Sequence, residues 1–423
     1  MTATALLAGL FALLLLRVPV AFALGGLGLA MLVAAGASPL AVPQTVLSTL
    51  DGSLLLSVPL FLLMSNTLLK AGVGRDLFAA AHAWVGHWPG GVALATILSC
   101  AVFAAVSGSS VATAATIGTA AMPEMISRGY ERRFVYGLLA AVGTLGILIP
   151  PSIPMIVYGF VTGQPVIDLF LAGIGPGLLL ICLFVAFAML HARRSGVRPG
   201  APAAWNERSQ ASVRALPSVV LAAVVIGVLY SGAATPTEAA AIGFAGALVV
   251  AAGVLRSLSW KGLRDSVFES MATTVAILLV VCGARLFGEA ITLYRIPQDI
   301  AAFVFDAAFG PLAFLIVVSA VLLLAGLVLE ALSMMLIVTL VLLPSALAMG
   351  FDPVWFGVYM VVLVECALIT PPVGLNLYVV QALARVPFAD VARGVLPFLA
   401  LMLATVLALH AWPGLALHIP HRM

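Results

Sequence analysis

Gly146-Ile147-Leu148-Ile149-Pro150-Pro151-Ser152-Ile153-Pro154 interrupts one apolar run of this chain, and Glu365-Cys366-Ala367-Leu368-Ile369-Thr370-Pro371-Pro372-Val373-Gly374-Leu375-Asn376 interrupts another. The two Pro-Pro pairs stand 221 residues apart, and Pro123 and Pro344 precede them at one common distance. Proline has no N–H, clashes with the preceding turn and pushes its predecessor toward extended geometry. The first stretch therefore predicts a helix ending near Ile149 with exposed carbonyls, and a new one starting near Pro151 with free N–H groups. The second predicts the same break, with Asn376 one turn into the resumed helix. A single proline in a membrane helix commonly makes only a kink. Two adjacent prolines, with Pro154 behind the first pair and the pattern occurring twice, predict true interruptions. At membrane depth such breaks persist where the freed backbone faces protein or a cavity, and there they bind ions and substrates.

Composition supports that depth. The 423 residues are 63% hydrophobic and 8% charged, whereas soluble domains are roughly a quarter charged. Apolar runs long enough to span a hydrocarbon core of about 30 Å recur, too continuous for the alternation of barrel strands. The expectation is an all-α polytopic membrane protein. Cys100, Cys182, Cys282 and Cys366 are isolated in apolar sequence, which argues against disulfides and a metal cluster. The run Ala3–Leu16 lacks a basic flank and continues through Arg17-Val18-Pro19 into further apolar sequence, so it is expected to be retained. No His-Glu-x-x-His, Walker A loop or Gly-x-Ser-x-Gly elbow occurs, so no enzymatic activity is expected. Nor is a nucleic-acid partner, since the net charge of +3 is accounted for by topology.

Basic residues set the orientation. Of the 19 Lys and Arg, 15 fall in five clusters, around Lys70, Arg128, Arg193–Arg214, Arg256 and Arg385. If all five are cytoplasmic, the segments between them cross twice or not at all. Gly91–Met125 then starts and ends on one side, with Val106-Ser107-Gly108-Ser109-Ser110 at its centre, which predicts a re-entrant hairpin over 91–125. A broken helix follows over 134–162. Further on, Val267–Leu293 leads to a turn at Tyr294–Asp299, a second hairpin over 314–344 with its tip at Gly326–Ser333, and a second broken helix over 354–384. The order repeats with opposite orientation, the inverted repeat of secondary transporters. Residues 1–190 and 215–423 form the halves, and 191–214 is a cytoplasmic linker. Gly74–Trp88 reads as an amphipathic interfacial helix.

At the first tip, serine hydroxyls and uncapped carbonyls offer hard oxygen ligands, and helix N–H groups offer an anion site. The same small residues also suit close helix packing. Glu238, Arg285, Glu289, Glu330 and Glu365 are ionisable residues within apolar segments and are functional candidates on that ground, except that Glu238 and Glu289 fall toward the periplasmic surface, where a wet or structural role is expected. Arg285 and Glu289, at i and i+4, are expected to satisfy each other.

Taken with Val58-Pro59-Leu60-Phe61-Leu62-Leu63-Met64-Ser65-Asn66 and Thr235-Pro236-Thr237-Glu238-Ala239-Ala240, the hairpin and both breaks make the chain resemble, over nearly its whole length, the DctM-like large membrane subunit of tripartite ATP-independent periplasmic (TRAP) transporters. The resemblance implies Na+-coupled uptake of an organic acid anion through a bacterial inner membrane, by an elevator-type transport domain moving against a scaffold. It also implies two protein partners, a small four-helix membrane subunit and a periplasmic substrate-binding protein, besides membrane lipid. Carried onto this sequence, one sodium site would use Ser107, Ser110, Gly146, Ile149 and Ser152, and another Gly326, Ala367, Thr370 and Val373. Substrate would sit near Ser109, Pro151, Pro372 and Asn376. Ala367 stands where the family usually has glycine, Thr113 where Asp is frequent and Ser65 where Gly is frequent. A stand-alone Na+/dicarboxylate symporter of the same architecture is the alternative reading.

Overall fold

In a computed structural model, residues 3–38, 40–306 and 310–420 are described, and every regular element among them is helical. In chain order the first half comprises α1 (Ala3–Leu15), α2 (Val20–Ala34), α3 (Ala41–Leu50), α4 (Ser57–Lys70), α5 (Val73–Val85), α6 (Gly91–Ser107), α7 (Ser110–Ser127), α8 (Arg132–Leu148), α9 (Ile153–Thr162) and α10 (Val166–Arg194). There follow α11 (Trp205–Tyr230), α12 (Pro236–Leu248, prolonged by a π-helical turn), α13 (Trp260–Leu293), α14 (Ile296–Asp306), α15 (Pro311–Ala325), α16 (Ala331–Ala348), α17 (Pro353–Leu368), α18 (Leu375–Ala384), α19 (Phe388–Ala411) and α20 (Gly414–Leu417). Seven described helices are long and apolar enough to cross a membrane, and α8 with α9, bent by 40° at their break, would make an eighth. The chain is a multi-pass α-helical membrane protein.

A helix that is apolar all round can lie against lipid or be enclosed by protein, and the core of the protein holds those enclosed on every side. That is where α8 and α17 lie: every residue from Phe134 to Leu148, and from Val354 to Leu368, is buried. Both helices run into a Pro-Pro pair, and both Pro-Pro peptide bonds are cis. The two halves meet there, because the Tyr158 hydroxyl on α9 donates to the Pro353 carbonyl at the start of α17, at 2.7 Å. Around this centre, α2 packs backbone to backbone on α13, where a Cβ at Gly28 would come within 2.8 Å of the Leu286 carbonyl carbon.

The first predicted hairpin is present as α6 and α7, joined by Gly108-Ser109 alone. Its arms run antiparallel, since the Thr96 hydroxyl near the start of α6 lies 3.8 Å from Met125 Sδ near the end of α7. In the second helix pair, Gly326–Glu330 joins α15 to α16, a shorter tip than the expected Gly326–Ser333. Ser319 on α15 instead bonds Tyr359 on α17, at 2.8 Å. Pro123 and Pro344 lie inside α7 and α16.

Three expectations need correction. Only Tyr294 and Arg295 separate α13 from α14, so the turn expected through Asp299 is already helical at Ile296. In the linker stretch 191–214, residues 195–204 alone are non-helical, because α10 and α11 run past their apolar cores. Hydropathy marks what lipid can bury, and a helix whose own hydrogen bonds are satisfied continues into polar surroundings. Lastly, Arg285 and Glu289 do not pair. Glu289 accepts from the Thr45 hydroxyl at 2.7 and 2.8 Å, and the Arg285 guanidinium lies 5.1 Å from the centre of the Phe160 ring.

Candidate functional site

A carbonyl four residues before a proline has no N–H to receive, so Pro150 and Pro151 orphan the Gly146 and Ile147 carbonyls. Ile147 O is satisfied by the Ser152 hydroxyl. Ser152 also caps α9, accepting from Met155 N at 3.5 Å. The hairpin tip presses onto this break. Gly108 has φ +59°, and a Cβ there would lie 2.8 Å from the Pro151 carbonyl oxygen, so both conformation and space require glycine. A Cβ at Gly146 would meet the Ser109 carbonyl oxygen at 2.6 Å and Thr113 Oγ1 at 2.7 Å.

Sequence-predicted residues therefore gather around one break. Ser107 Oγ and Thr113 Oγ1 share a hydrogen bond of 2.8 Å, and Thr113 Oγ1 donates to Ser109 O at 2.8 Å. Ser110 is 4% exposed and donates to Asn376 Oδ1 at 2.6 Å. The Ile149 side chain faces a separate apolar crevice between α6, α10 and α11, leaving its carbonyl as the only polar contribution. This group offers hard oxygens only, the donor chemistry that a small hard cation takes.

The second set is built similarly. Gly326, at the end of α15, abuts the Ala367 side chain on α17. Ala367 O receives Thr370 N at 3.2 Å, and the Thr370 hydroxyl donates to Cys366 O at 2.7 Å. Val373 is half-buried in the non-helical stretch between α17 and α18. Carbonyls and one hydroxyl are again the donor chemistry that a hard cation takes.

Between the two tips lies a cavity of about 530 Å³. Ser109 and Ser110 at the start of α7, Ile153 and Pro154 at the start of α9, Glu330 and Ala331 at the start of α16, and Leu375 at the start of α18 all line it. Four helix N-termini thus converge on one space. The opposite wall is α2 and α13, including Phe22 and Thr273. Among the described residues Glu330 is the sole ionisable side chain in the lining, and its carboxylate caps α16, accepting from Ser333 N at 2.9 Å and Leu332 N at 3.3 Å. Of the expected substrate residues, Ser109 lines the cavity. Pro151 is buried under Gly108, Pro372 is exposed, and Asn376 is fully buried with its amide bonded to Ser110 and Ala140. Glu365 is fully buried, and neither of its carboxylate oxygens has a hydrogen-bond partner among the described residues.

A family profile described as "Tripartite ATP-independent periplasmic transporter, DctM component" matches residues 7–415. The chain belongs to the DctM family of TRAP large permeases. A relative named C4-dicarboxylate TRAP transporter large permease protein DctM, from Pseudomonas aeruginosa, is 40% identical over 87% of this chain and 86% of its own length. The sialic acid TRAP transporter large permease protein SiaM of Vibrio cholerae is 32% identical over 97% of both chains. An ectoine/5-hydroxyectoine TRAP large permease from Ruegeria pomeroyi is 33% identical over 88% of this chain and 87% of its own. These relatives are permeases rather than enzymes. Among solved structures, the YdaH transporter of Alcanivorax borkumensis superposes with a TM-score of 0.55 at 14% identity, over 88% of this DctM-family chain and 87% of its own. That likeness concerns the fold alone.

Sequence reasoning did not find the α2–α13 wall or the Ala140 carbonyl that receives Asn376. Neither carries a local signal, since Phe22 and Thr273 read as ordinary apolar-helix residues and a backbone carbonyl has no sequence at all.

Proposed function

We propose that the chain is the substrate-translocating subunit of a TRAP system and carries an organic acid anion inward across a bacterial inner membrane, coupled to Na+. The observation that supports it most is the convergence of four helix N-termini on a cavity whose lining has no basic side chain. An N-terminus presents unpaired N–H groups and roughly half a positive charge, so anions are stabilised there without a Lys or Arg. Glu330 already places a negative charge at the N-terminus of α16, whereas α7 and α9 carry only the neutral serine caps Ser109 and Ser152 and α18 has no side-chain cap, so these three keep their positive ends for a carboxylate. The relatives' names cover a C4-dicarboxylate, sialic acid and ectoine, which differ in size and share a carboxylate group.

Ser107, Ser110, Gly146, Ile149 and Ser152 would hold one sodium ion, and Gly326, Ala367, Thr370 and Val373 another. The ions supply positive charge beside the substrate and tie each tip to its break. The hairpins and broken helices would move together as the transport domain against the scaffold of α2, α4 and α11–α13, into which Gly28 locks α2. The substrate would arrive on a periplasmic binding protein, and a small four-helix membrane subunit would dock on the scaffold.

Reconstitution tests this reading. Proteoliposomes containing both membrane subunits and loaded binding protein should accumulate substrate under an inward Na+ gradient but not under K+. Ser110→Leu or Thr370→Leu should abolish that uptake, and unchanged uptake in both would refute the assignment. Transport without any binding protein would instead favour the stand-alone symporter.

A further inference from the structure

Asn376 carries more structure than a substrate contact needs. It is fully buried, two residues beyond Gly374 at the start of α18, and its side chain crosses into the first half of the chain. Its Nδ2 donates to Ala140 O on α8 at 3.1 Å, and its Oδ1 accepts from Ser110 Oγ at 2.6 Å, from a residue 266 positions away. The direction of both bonds follows from chemistry. A backbone carbonyl can only accept, so the amide must turn its NH2 toward Ala140 and its oxygen toward Ser110. The Ser110 hydroxyl must then be the donor. Its proton is committed to Asn376, and its lone pairs are left for whatever lies on its other side.

We infer that Asn376 is a positioning residue for the first sodium site: it holds the Ser110 proton away so that the hydroxyl oxygen faces the ion. The inference rests on the sodium reading above. A hydroxyl that ligates a cation must present a lone pair, and a freely rotating serine presents its proton part of the time. Outer partners that orient a ligand in this way are worth about 10–100-fold in ion affinity. The arrangement also makes the second broken helix part of the first ion site, because α18 packs on α7 and α8. Ion occupancy at the first break is thereby sensed by the helix that resumes after the second.

The test is sodium-dependent thermal stabilisation of the full chain in micelles, titrated with NaCl against choline chloride at constant ionic strength. Asn376→Leu should raise the half-maximal Na+ concentration about tenfold, and Ser110→Ala should do the same. The double variant should be no worse than Ser110→Ala alone, since Asn376 acts through that hydroxyl. Asn376→Asp keeps the acceptor for Ser110 and loses the donor to Ala140, so its Na+ midpoint should stay closer to that of the unmodified chain than to that of Ser110→Ala, a comparison that holds even if the leucine variant fails to fold. Multiplied effects in the double variant would overturn the inference, as would an unchanged Na+ midpoint in Asn376→Leu or an Asn376→Asp midpoint as high as that of Ser110→Ala. A substrate KM that rises in Asn376→Leu while the Na+ midpoint stays fixed would make Asn376 a substrate ligand instead. If the unmodified chain shows no Na+ shift at all, the sodium reading itself falls and the inference with it.

Discussion

Gly146→Ala isolates the closeness of the hairpin tip to the first break. The added methyl would sit 2.6 Å from the Ser109 carbonyl oxygen, and ordinary contact begins at 3.4 Å, so something must retreat by about 0.8 Å. Two of the three nearest obstructing atoms are the backbone of a two-residue turn, which Gly108 pins against Pro151, and the third is Thr113 Oγ1 at 2.7 Å, held by its bonds to Ser107 and Ser109. Overpacking of this kind costs about 1–3 kcal/mol, against roughly 1 kcal/mol returned by replacing glycine with alanine inside a helix. The net loss of stability is therefore modest, near 1 kcal/mol, but the displacement falls on Ser107, Ser110 and Thr113. Na+-driven uptake in proteoliposomes should drop more than tenfold while the melting temperature falls by only a few degrees. Gly177→Ala is the control, on α10 beside the same break, where the nearest atom to the new methyl is 3.7 Å away. If Gly146→Ala transports as well as Gly177→Ala, the reasoning from tip to ion site is wrong.

Glu330→Ala removes a carboxylate that accepts from Leu332 N, Ser333 N and Ser333 Oγ, and should cost about 1–2 kcal/mol in thermal unfolding. Glu330→Gln should recover part of that loss. Thr45→Val takes a donor from the exposed Glu289 carboxylate, where water can replace it, and should destabilise by about 0.5–1.5 kcal/mol, with a double-mutant cycle with Glu289→Gln showing coupling between the two. On α5, burial holds the His82 imidazole below its usual pKa, opposed by Glu124 and reinforced by Arg128. Because the unfolded chain takes up that proton first, stability should fall as pH drops below about 6.5, and His82→Phe should flatten the melting-temperature profile there.

Much of this site was legible along the chain because its signals are properties of single residues. A proline orphans the carbonyl four places back wherever it stands, and Gly108 between serines announces a reversal. The broken helices and the first hairpin follow from those local facts, with ends displaced by a few residues. Less legible were interactions in which a neighbour in space outbids a neighbour in sequence. Arg285 and Glu289 are one helical turn apart, yet Thr45 and Phe160 take them, because the fold brings that hydroxyl and that ring within reach and an i,i+4 ion pair at an exposed carboxylate is worth too little to hold two flexible side chains together.

By itself the sequence determined that the chain crosses a membrane many times, that two of its helices are broken, and which carbonyls the prolines deprive of an intrahelical N–H. Those results need only backbone chemistry and hydropathy, which act on each segment separately. Only the tertiary structure decided that four helix N-termini face one cavity, that α2 and α13 close its far wall, and that Asn376 belongs to Ser110 and Ala140. These are pairings across as many as 266 residues, and their geometry is set by which helices pack together.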